Sequence, residues 1–468
     1  MKVQQIYTQC LAEAAYYIES KGEVAIIDPL REVKPYIELA QNSGSTIKYV
    51  FETHFHADFV SGHLDLAKKT GAQIVYGPTA KPNFEAIVAA DDQVFKLGDV
   101  HIKVLHTPGH TMESSTFLLI DEQGRDHAIF TGDTLFLGDV GRPDLAVKTD
   151  LTREDLAAHL FDSLRNKIMP LADDVIVYPG HGQGSACGKH MSAETVDTLG
   201  NQKKFNYALR ADMTKEEFVK EVTADLVAPP QYFPKNAVMN KMGYESIDDI
   251  LEQGVIGLEV KEFQQTLEKN KALILDTRSK EAFAEAHIPG AWFIGIDDNF
   301  APWVGALISD LRQPIVFLAD EGKEEEVVIR LSRVGYDNAL GYLKGGIGVW
   351  KEAGLEVCAV KEISATTFEE VFKSGVNLLD VRRESEFESQ HIEGATNFPL
   401  SMILENLNVL DKSHQYYLHC AGGYRSMIAS SILLANGFHK IINIKGGFKA
   451  LKETKLPLTQ FQEQITML

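Results

Sequence analysis

The chain has 468 residues, 44% hydrophobic and 24% charged, with a formal net charge of −20. That length exceeds one ordinary core and predicts about three domains of globular composition. The negative charge argues against nucleic acid or an anionic membrane as partner, because both need a positive surface.

No stretch approaches the roughly 18 apolar residues of a membrane span, and residues 1–28 lack a basic segment followed by a long apolar run. A cytoplasmic protein is expected. Cys10, Cys187, Cys358 and Cys420 lie far apart without CxxC spacing, which fits a reducing compartment.

Val3 to Thr8, Ala14 to Ile18 and Val24 to Ile27 read as strands, with Lys21-Gly22 as a turn and Asp28-Pro29 as the end of the unit. Cys10 reads as a small buried hydrophobe. Val33 to Asn42 reads as a helix ending at Gly44. The apolar run Ile47 to Phe51 then delivers Thr53-His54-Phe55-His56-Ala57-Asp58-Phe59, in which three potential metal ligands alternate and leave one strand end together. Gly62 to Thr70 continues as a short helix stopped by Gly71. Three further segments follow apolar strands: Thr107-Pro108-Gly109-His110-Thr111 after Val100 to Leu105, Thr131-Gly132-Asp133 after Ala128 to Phe130, and Tyr178-Pro179-Gly180-His181-Gly182 after Val175 to Val177. Each puts a His or Asp in a tight loop that a rigid sheet edge can hold.

These four loops, in this order, resemble the metallo-β-lactamase superfamily, whose ligand pattern is HxHxDH, then His, Asp and His. Phe59 departs from it: dinuclear zinc hydrolases of the superfamily carry the last His of HxHxDH there, and a phenyl ring has no lone pair to donate. His54, His110 and Asp133 remain, with the composition of a two-His-one-carboxylate triad that suits non-haem Fe(II). The resemblance narrows to the persulfide dioxygenase branch, where those positions hold one iron per chain and no organic cofactor is needed. In that reading His56, Asp58 and His181 orient the ligands or donate to substrate. His181 has a competing reading as a satisfied core residue.

Arg142 and Asp144, in the turn after Asp133, read either as a substrate fork or as a loop-closing pair. Leu151 to Lys167 reads as a helix and Asp174 to Tyr178 as a strand. Cys187 reads as a thiol near the mouth of the metal pocket, activated by Lys189, or as a buried spectator. Asn201 to Lys220 reads as helical. Val227 to Asn236, with its prolines, reads as an irregular segment that closes the first domain.

An internal repeat follows. Asp276-Thr277-Arg278 with His287-Ile288-Pro289-Gly290-Ala291 recurs as Asp380-Val381-Arg382 with His391-Ile392-Glu393-Gly394-Ala395, and Lys344-Gly345-Gly346 as Lys445-Gly446-Gly447. A period this long is a domain duplication. The repeats resemble the rhodanese sulfurtransferases. In the second copy Cys420-Ala421-Gly422-Gly423-Tyr424-Arg425-Ser426, before the predicted helix Met427 to Asn436, can curl its N–H groups around the Cys sulfur; Arg425 adds a cation. The first copy has Ala319-Asp320-Glu321-Gly322-Lys323-Glu324-Glu325-Glu326 instead. It has no Cys, its carboxylates would repel persulfide or sulfite, and a spacer or docking role is expected.

The expected fold class is α/β: a metallo-β-lactamase αββα sandwich over residues 1–245, a Cys-less rhodanese-like parallel-sheet domain over 256–357, and an active one over 361–468. The resemblance implies oxidation of a thiol persulfide, of glutathione, coenzyme A or similar, by dioxygen to sulfite. Cys420 would then pass sulfur to sulfite to give thiosulfate. Two alternatives stand: a zinc-dependent thioester hydrolase of the hydroxyacylglutathione hydrolase type, with Asp58 as base, and a non-enzymatic sulfur relay. An acidic surface with an inactive middle copy is compatible with a homo-oligomer.

Overall fold

The computed structural model describes residues 1–146, 151–226, 228–372 and 375–462. Val227 and residues 463–468, which belong to segments read above, lie outside the described residues. The chain forms two compact units, one of Met1–Ile247 with the short piece Ser332–Gly335, the other of Asp248–Leu331 with the chain from Tyr336 onward. Among the described residues no helix is long and apolar enough to cross a membrane.

The first unit contains two six-stranded mixed sheets. One runs β1 (Lys2–Thr8), β2 (Glu13–Ser20), β3 (Glu23–Ile27), β4 (Thr46–Glu52), β5 (Gln73–Tyr76), β6 (Ile87–Val88) in spatial order. The other comprises β7 (Val94–Leu97), β8 (Val100–His106), β9 (Ser115–Ile120), β10 (Asp126–Gly132), β11 (Ile176–Pro179) and β12 (Asp197–Thr198), likewise adjacent in order. Side chains alternate across a strand, so each sheet has two faces to bury. Tyr16, Ile18, Phe51 and Val75 meet Phe95, Ile102, Phe117 and Phe130 between the sheets. The outer face of the first sheet packs Val24, Ile26 and Val50 against Tyr36, Ala40 and Leu66 of the helices Lys34–Asn42 and His63–Thr70. The outer face of the second packs Leu118, Ile129 and Val177 against Leu160, Leu164 and Phe218. The layers are therefore helix, sheet, sheet, helix.

Two segments depart from expectation. The stretch 201–220 is broken into the helices Leu199–Phe205 and Lys215–Thr223, separated by a short 3-10 turn at Tyr207–Leu209. Asn206 causes the break: its Oδ1 accepts from Ala208 N, and its Nδ2 donates to the carbonyls of Phe136 and Asp139. The second helix restarts at Thr214 with a capping box to Glu217. The proline-rich segment also does not end in irregular chain. Phe233–Met242 is a helix with Pro234 in its first turn, where a missing N–H costs nothing.

The second unit holds the two repeats. Five parallel strands, β13 (Gly257–Leu258), β14 (Leu273–Asp276), β15 (Trp292–Phe293), β16 (Ile315–Leu318) and β17 (Ala339–Leu343), pair in the order β13-β17-β16-β14-β15. The strands β18 (Lys361–Ile363), β19 (Asn377–Asp380), β20 (Thr396–Asn397), β21 (Tyr416–His419) and β22 (Ile441–Ile444) pair in the equivalent order β18-β22-β21-β19-β20. The recurrent motifs are framework in both copies. Arg278 closes a bidentate pair with Asp276, as Arg382 does with Asp380. His287 stacks on Phe283 at 4.0 Å and His391 on Phe387 at 3.6 Å.

Candidate metal centre and sulfur-transfer loop

Strands β4, β8 and β10 end at one edge of the sandwich and deliver His54, His110 and Asp133, each at most 2% exposed. One donor atom from each lies within 4.8 Å of the others. The hydrogen bonds around them set the imidazole tautomers. Thr53 donates its hydroxyl proton to Asp28 Oδ2 (2.8 Å), so at 3.0 Å it accepts from His54 Nδ1–H, and His54 Nε2 keeps its lone pair. His110 Nδ1–H donates to the Arg142 carbonyl at 2.9 Å, which leaves Nε2 bare and 3.4 Å from Asp133 Oδ2. That carboxylate oxygen is buried and has no hydrogen-bond partner among the described residues. Facing lone pairs at this spacing, with an orphaned carboxylate oxygen, fit a cation held between them.

His181 lies outside this triad. Its Nδ1 is 2.8 Å from Asp133 Oδ1 and its Nε2 2.7 Å from Asp58 Oδ2. Burial alone would lower its pKa, but the two carboxylates raise it well above the ordinary histidine value, so it is an imidazolium bridging them. Asp133 shows the counterpart: burial would raise it, but His181 and then the other imidazoles hold it well below the carboxylate range. His56 lies between His54 and the fully buried Phe59, with ring centroids 4.2 and 4.3 Å away, and directs its Nε2 to Asp28 Oδ1 at 3.0 Å and Glu52 Oε2 at 3.5 Å.

Around the centre, Arg142 spends its fork on Asp144 (2.6 and 2.7 Å) and on the Ala186 carbonyl at 3.3 Å, the arrangement of a loop-closing pair. A Cβ at Gly141 would stand 1.9 Å from the Asp133 carbonyl, so only glycine lets this turn approach the ligands. Cys187 is 1% exposed. Burial first, and then Asp133 and Asp58, push its thiol well above its ordinary pKa, the reverse of activation by Lys189. The Lys189 ammonium is instead engaged by the carbonyls of Glu221, Val222 and Ala224 around the end of the helix Lys215–Thr223.

Sequence reasoning missed Asn240. From the helix Phe233–Met242 its Nδ2 donates to the carbonyls of His56 and Phe59, both at 2.7 Å, and its Oδ1 accepts from Ser61 N at 2.9 Å. It thereby pins the loop that carries the ligands, across 180 residues of chain and with no local motif to announce it.

In the second unit Cys420 follows β21 and is 1% exposed. Gly423 N–H donates to its Sγ at 3.0 Å, and the helix Tyr424–Ala435 begins directly after, bringing Ser426 Oγ back to the Gly423 carbonyl at 3.2 Å. Ala421 and Gly422 are exposed at the rim. Arg425 is paired bidentately with Glu386, at 2.6 and 2.8 Å. Glu386 was also missed, although it aligns with Ala282 in the copy that lacks both Cys and Arg, so the repeat itself carried the signal. The Lys445-Gly446-Gly447 turn lies against the loop: Phe448 N donates to the Cys420 carbonyl at 2.6 Å, and a Cβ at Gly447 would come within 2.4 Å of that oxygen. In the first copy a Cβ at Gly346 meets nothing within 4 Å.

The first copy touches the Cys420 loop and the helix that follows it. Tyr424 Oη donates to the Gly295 carbonyl at 3.0 Å, and Phe293 N to Ser431 Oγ at 2.9 Å. Its own loop is less repulsive than its sequence suggests, because Glu326 is paired with Lys323 and Arg330.

Comparison with known proteins agrees with this architecture. Residues 9–181 match the metallo-beta-lactamase superfamily, and residues 259–353 and 364–454 each match the rhodanese-like domain. A crystal structure described as a metallo-beta-lactamase from Staphylococcus aureus subsp. aureus COL is 33% identical with a TM-score of 0.63, covering 74% of this chain and 98% of that one. Two Schizosaccharomyces pombe proteins described as probable hydroxyacylglutathione hydrolases are 29% and 30% identical. Their alignments cover 41% and 39% of this chain, and 79% and 75% of their own lengths. With the helix, sheet, sheet, helix layering and the ligand loops at one sheet edge, the chain belongs to the metallo-beta-lactamase superfamily and carries that domain ahead of two rhodanese domains.

Proposed function

We propose that the first unit is a non-haem Fe(II) persulfide dioxygenase and that Cys420 of the second unit is a sulfurtransferase nucleophile, the two together detoxifying sulfide as thiosulfate. The observation that carries the reading is Phe59. It removes one ligand of a dinuclear set, and His56 directs its Nε2 to Asp28 and Glu52, so two imidazoles and one carboxylate make up the group His54, His110 and Asp133. That donor set suits ferrous iron better than a hydrolytic zinc pair. Held by His54, His110 and Asp133, iron would supply redox chemistry with dioxygen and open positions for the substrate sulfur. The His181 imidazolium keeps Asp133 ionised and oriented and holds a proton at Nε2 against Asp58, while the Arg142 carbonyl fixes the His110 ring.

Persulfide, dioxygen and water give thiol and sulfite. Cys420 thiolate attacks the outer sulfur of a second persulfide and expels the thiol. Sulfite then takes that sulfur, its lone pair displacing the Cys420 thiolate, and leaves as thiosulfate. Gly423 N–H donates to the Cys420 sulfur in this loop, and Glu386 holds the Arg425 cation in place. The four free cysteines fit a reducing cytoplasm as the place of work.

The relatives described as hydroxyacylglutathione hydrolases favour a second reading, a zinc-dependent thioester hydrolase. Its base would be Asp58, whose Oδ2 is engaged by His181. Oxygen uptake by the iron-loaded protein with glutathione persulfide, against the zinc-loaded form, separates the two. Iron-dependent uptake with sulfite and thiosulfate as products is expected. Thioester cleavage by the zinc form, with no uptake across several persulfides, would replace this reading with the hydrolase.

A further inference from the structure

We infer that the first unit contains a second cation site, built from Asp28, Glu52 and His56, which takes a divalent transition metal of the Mn(II) to Zn(II) class. Asp28 directly follows β3 and Glu52 ends β4; these strands pair in parallel with Ile27 opposite Phe51, so both carboxylates reach one sheet edge. The loop after β4 returns His56 to them. The three side chains are 2%, 1% and 1% exposed, and one donor atom of each lies within 4.8 Å of the others.

Their spacing is that of ligands. His56 Nε2 stands 3.0 Å from Asp28 Oδ1 and 3.5 Å from Glu52 Oε2. Neither approach has hydrogen-bond direction: both ring nitrogens of His56, and Glu52 Oε2, are without a hydrogen-bond partner among the described residues. Two donors each about 2.1 Å from one ion are about 3.0 Å apart at a right angle and about 3.4 Å apart at the tetrahedral angle. The 3.0 Å approach falls in that range and the 3.5 Å approach lies at its upper edge. The neighbouring hydrogen bonds brace the carboxylates from outside: Thr53 N donates to Asp28 Oδ1 and Thr53 Oγ1 to Oδ2, both at 2.8 Å, and Ser61 Oγ donates to Glu52 Oε1 at 2.5 Å. His63, whose ring nitrogens also have no hydrogen-bond partner among the described residues, has its Nδ1 3.5 Å from Glu52 Oε1.

Charge points the same way. Glu13, Asp28, Glu52, Asp58 and Asp133 are all buried, with His181 bridging Asp58 and Asp133, and neither oxygen of Glu13 has a hydrogen-bond partner among the described residues. A divalent ion held by Asp28, Glu52 and His56 would offset the charge of two carboxylates withdrawn from water. Two carboxylates and an imidazole suit Mn(II), Fe(II) or Zn(II) and not a soft ion. Asp28 is also joined through Thr53 to His54, so an ion there would alter the hydrogen bonding of a ligand of the first centre.

The test is the metal content of the full chain, stripped by chelator and reconstituted with Mn(II). Two ions per chain are expected in the wild type, and one in a variant carrying both His54→Ala and His110→Ala, with pulsed electron paramagnetic resonance showing nitrogen coupling from a single imidazole. Adding Glu52→Gln to that variant abolishes the remaining ion. One ion per chain in the wild type and none in the double variant would overturn the site. Retention of the ion after Glu52→Gln would overturn it as well, by locating the ion elsewhere. If the triple variant fails to fold, nitrogen coupling in the double variant compared with His56→Ala added to it decides between the same outcomes.

Discussion

Cys420 is the residue through which the two units are linked in the proposed chemistry. Cys420→Ser keeps the size of the side chain but not its nucleophilicity, so iron-dependent oxygen uptake should persist while thiosulfate gives way to sulfite; unchanged thiosulfate on product analysis would remove Cys420 from the pathway. Asn240 acts on structure instead. Asn240→Ala leaves the His56 and Phe59 carbonyls and Ser61 N unpartnered in the interior, at about 1–3 kcal/mol for each group left unsatisfied. A loss of roughly 3 kcal/mol in the first unit, read by thermal denaturation, is expected together with weaker metal retention. Glu386 supplies a pH signature. Burial would raise its pKa, but Arg425 holds it below the ordinary 4.5. Its contribution is therefore complete above that value and is lost as pH falls through the folded-state pKa. The second unit's melting temperature should drop on acidification below pH 4.5, and that part of the slope should vanish in Glu386→Gln.

At the scale of elements, two turns of identical sequence have different duties. Gly447 adopts φ +56° with the Cys420 carbonyl where a Cβ would be, whereas Gly346 adopts φ +63° in open space. Gly346→Ala should cost only the left-handed backbone strain, about 1 kcal/mol. Gly447→Ala adds a backbone collision and should displace the Cys420 loop, lowering sulfur transfer at least tenfold while oxygen uptake is unchanged; equal effects of the two substitutions on transfer rate would show that the turn does not support the loop. The helix Phe233–Met242 shows the opposite kind of error. Its prolines read as a boundary, but Pro234 sits in the first turn, and the helix is what carries Asn240 back to the metal loop.

At the scale of the whole molecule, each unit has its own buried core, and among the described residues the candidate metal ligands all belong to the first. A metal bound only by the native first unit stabilises that unit by mass action and does nothing for the other. Calorimetry should therefore show two transitions, of which a chelator lowers one; a chelator-insensitive profile would show that the bound metal contributes nothing to folding. The second unit joins two copies of one fold, and the copy without Cys supports the other through Gly295 and Phe293.

What the sequence determined by itself was local or repeated. Apolar strand ends followed by His or Asp in Gly-rich turns declared the triad, because the loop residues are neighbours of the strands that hold them. Phe59 declared the departure from the HxHxDH pattern, and the repeat declared both rhodanese folds and the loss of Cys in the first. Only the tertiary structure decided where side chains with several partners within reach would turn. His181 bridges two carboxylates, Arg142 pairs with Asp144, and Lys189 reaches the carbonyls at the end of the helix Lys215–Thr223. Asp28, Glu52 and Glu13 are ordinary strand-end or in-strand carboxylates in the sequence. Their meaning comes from burial beside one another, and burial is a property of packing between distant segments that no local pattern encodes.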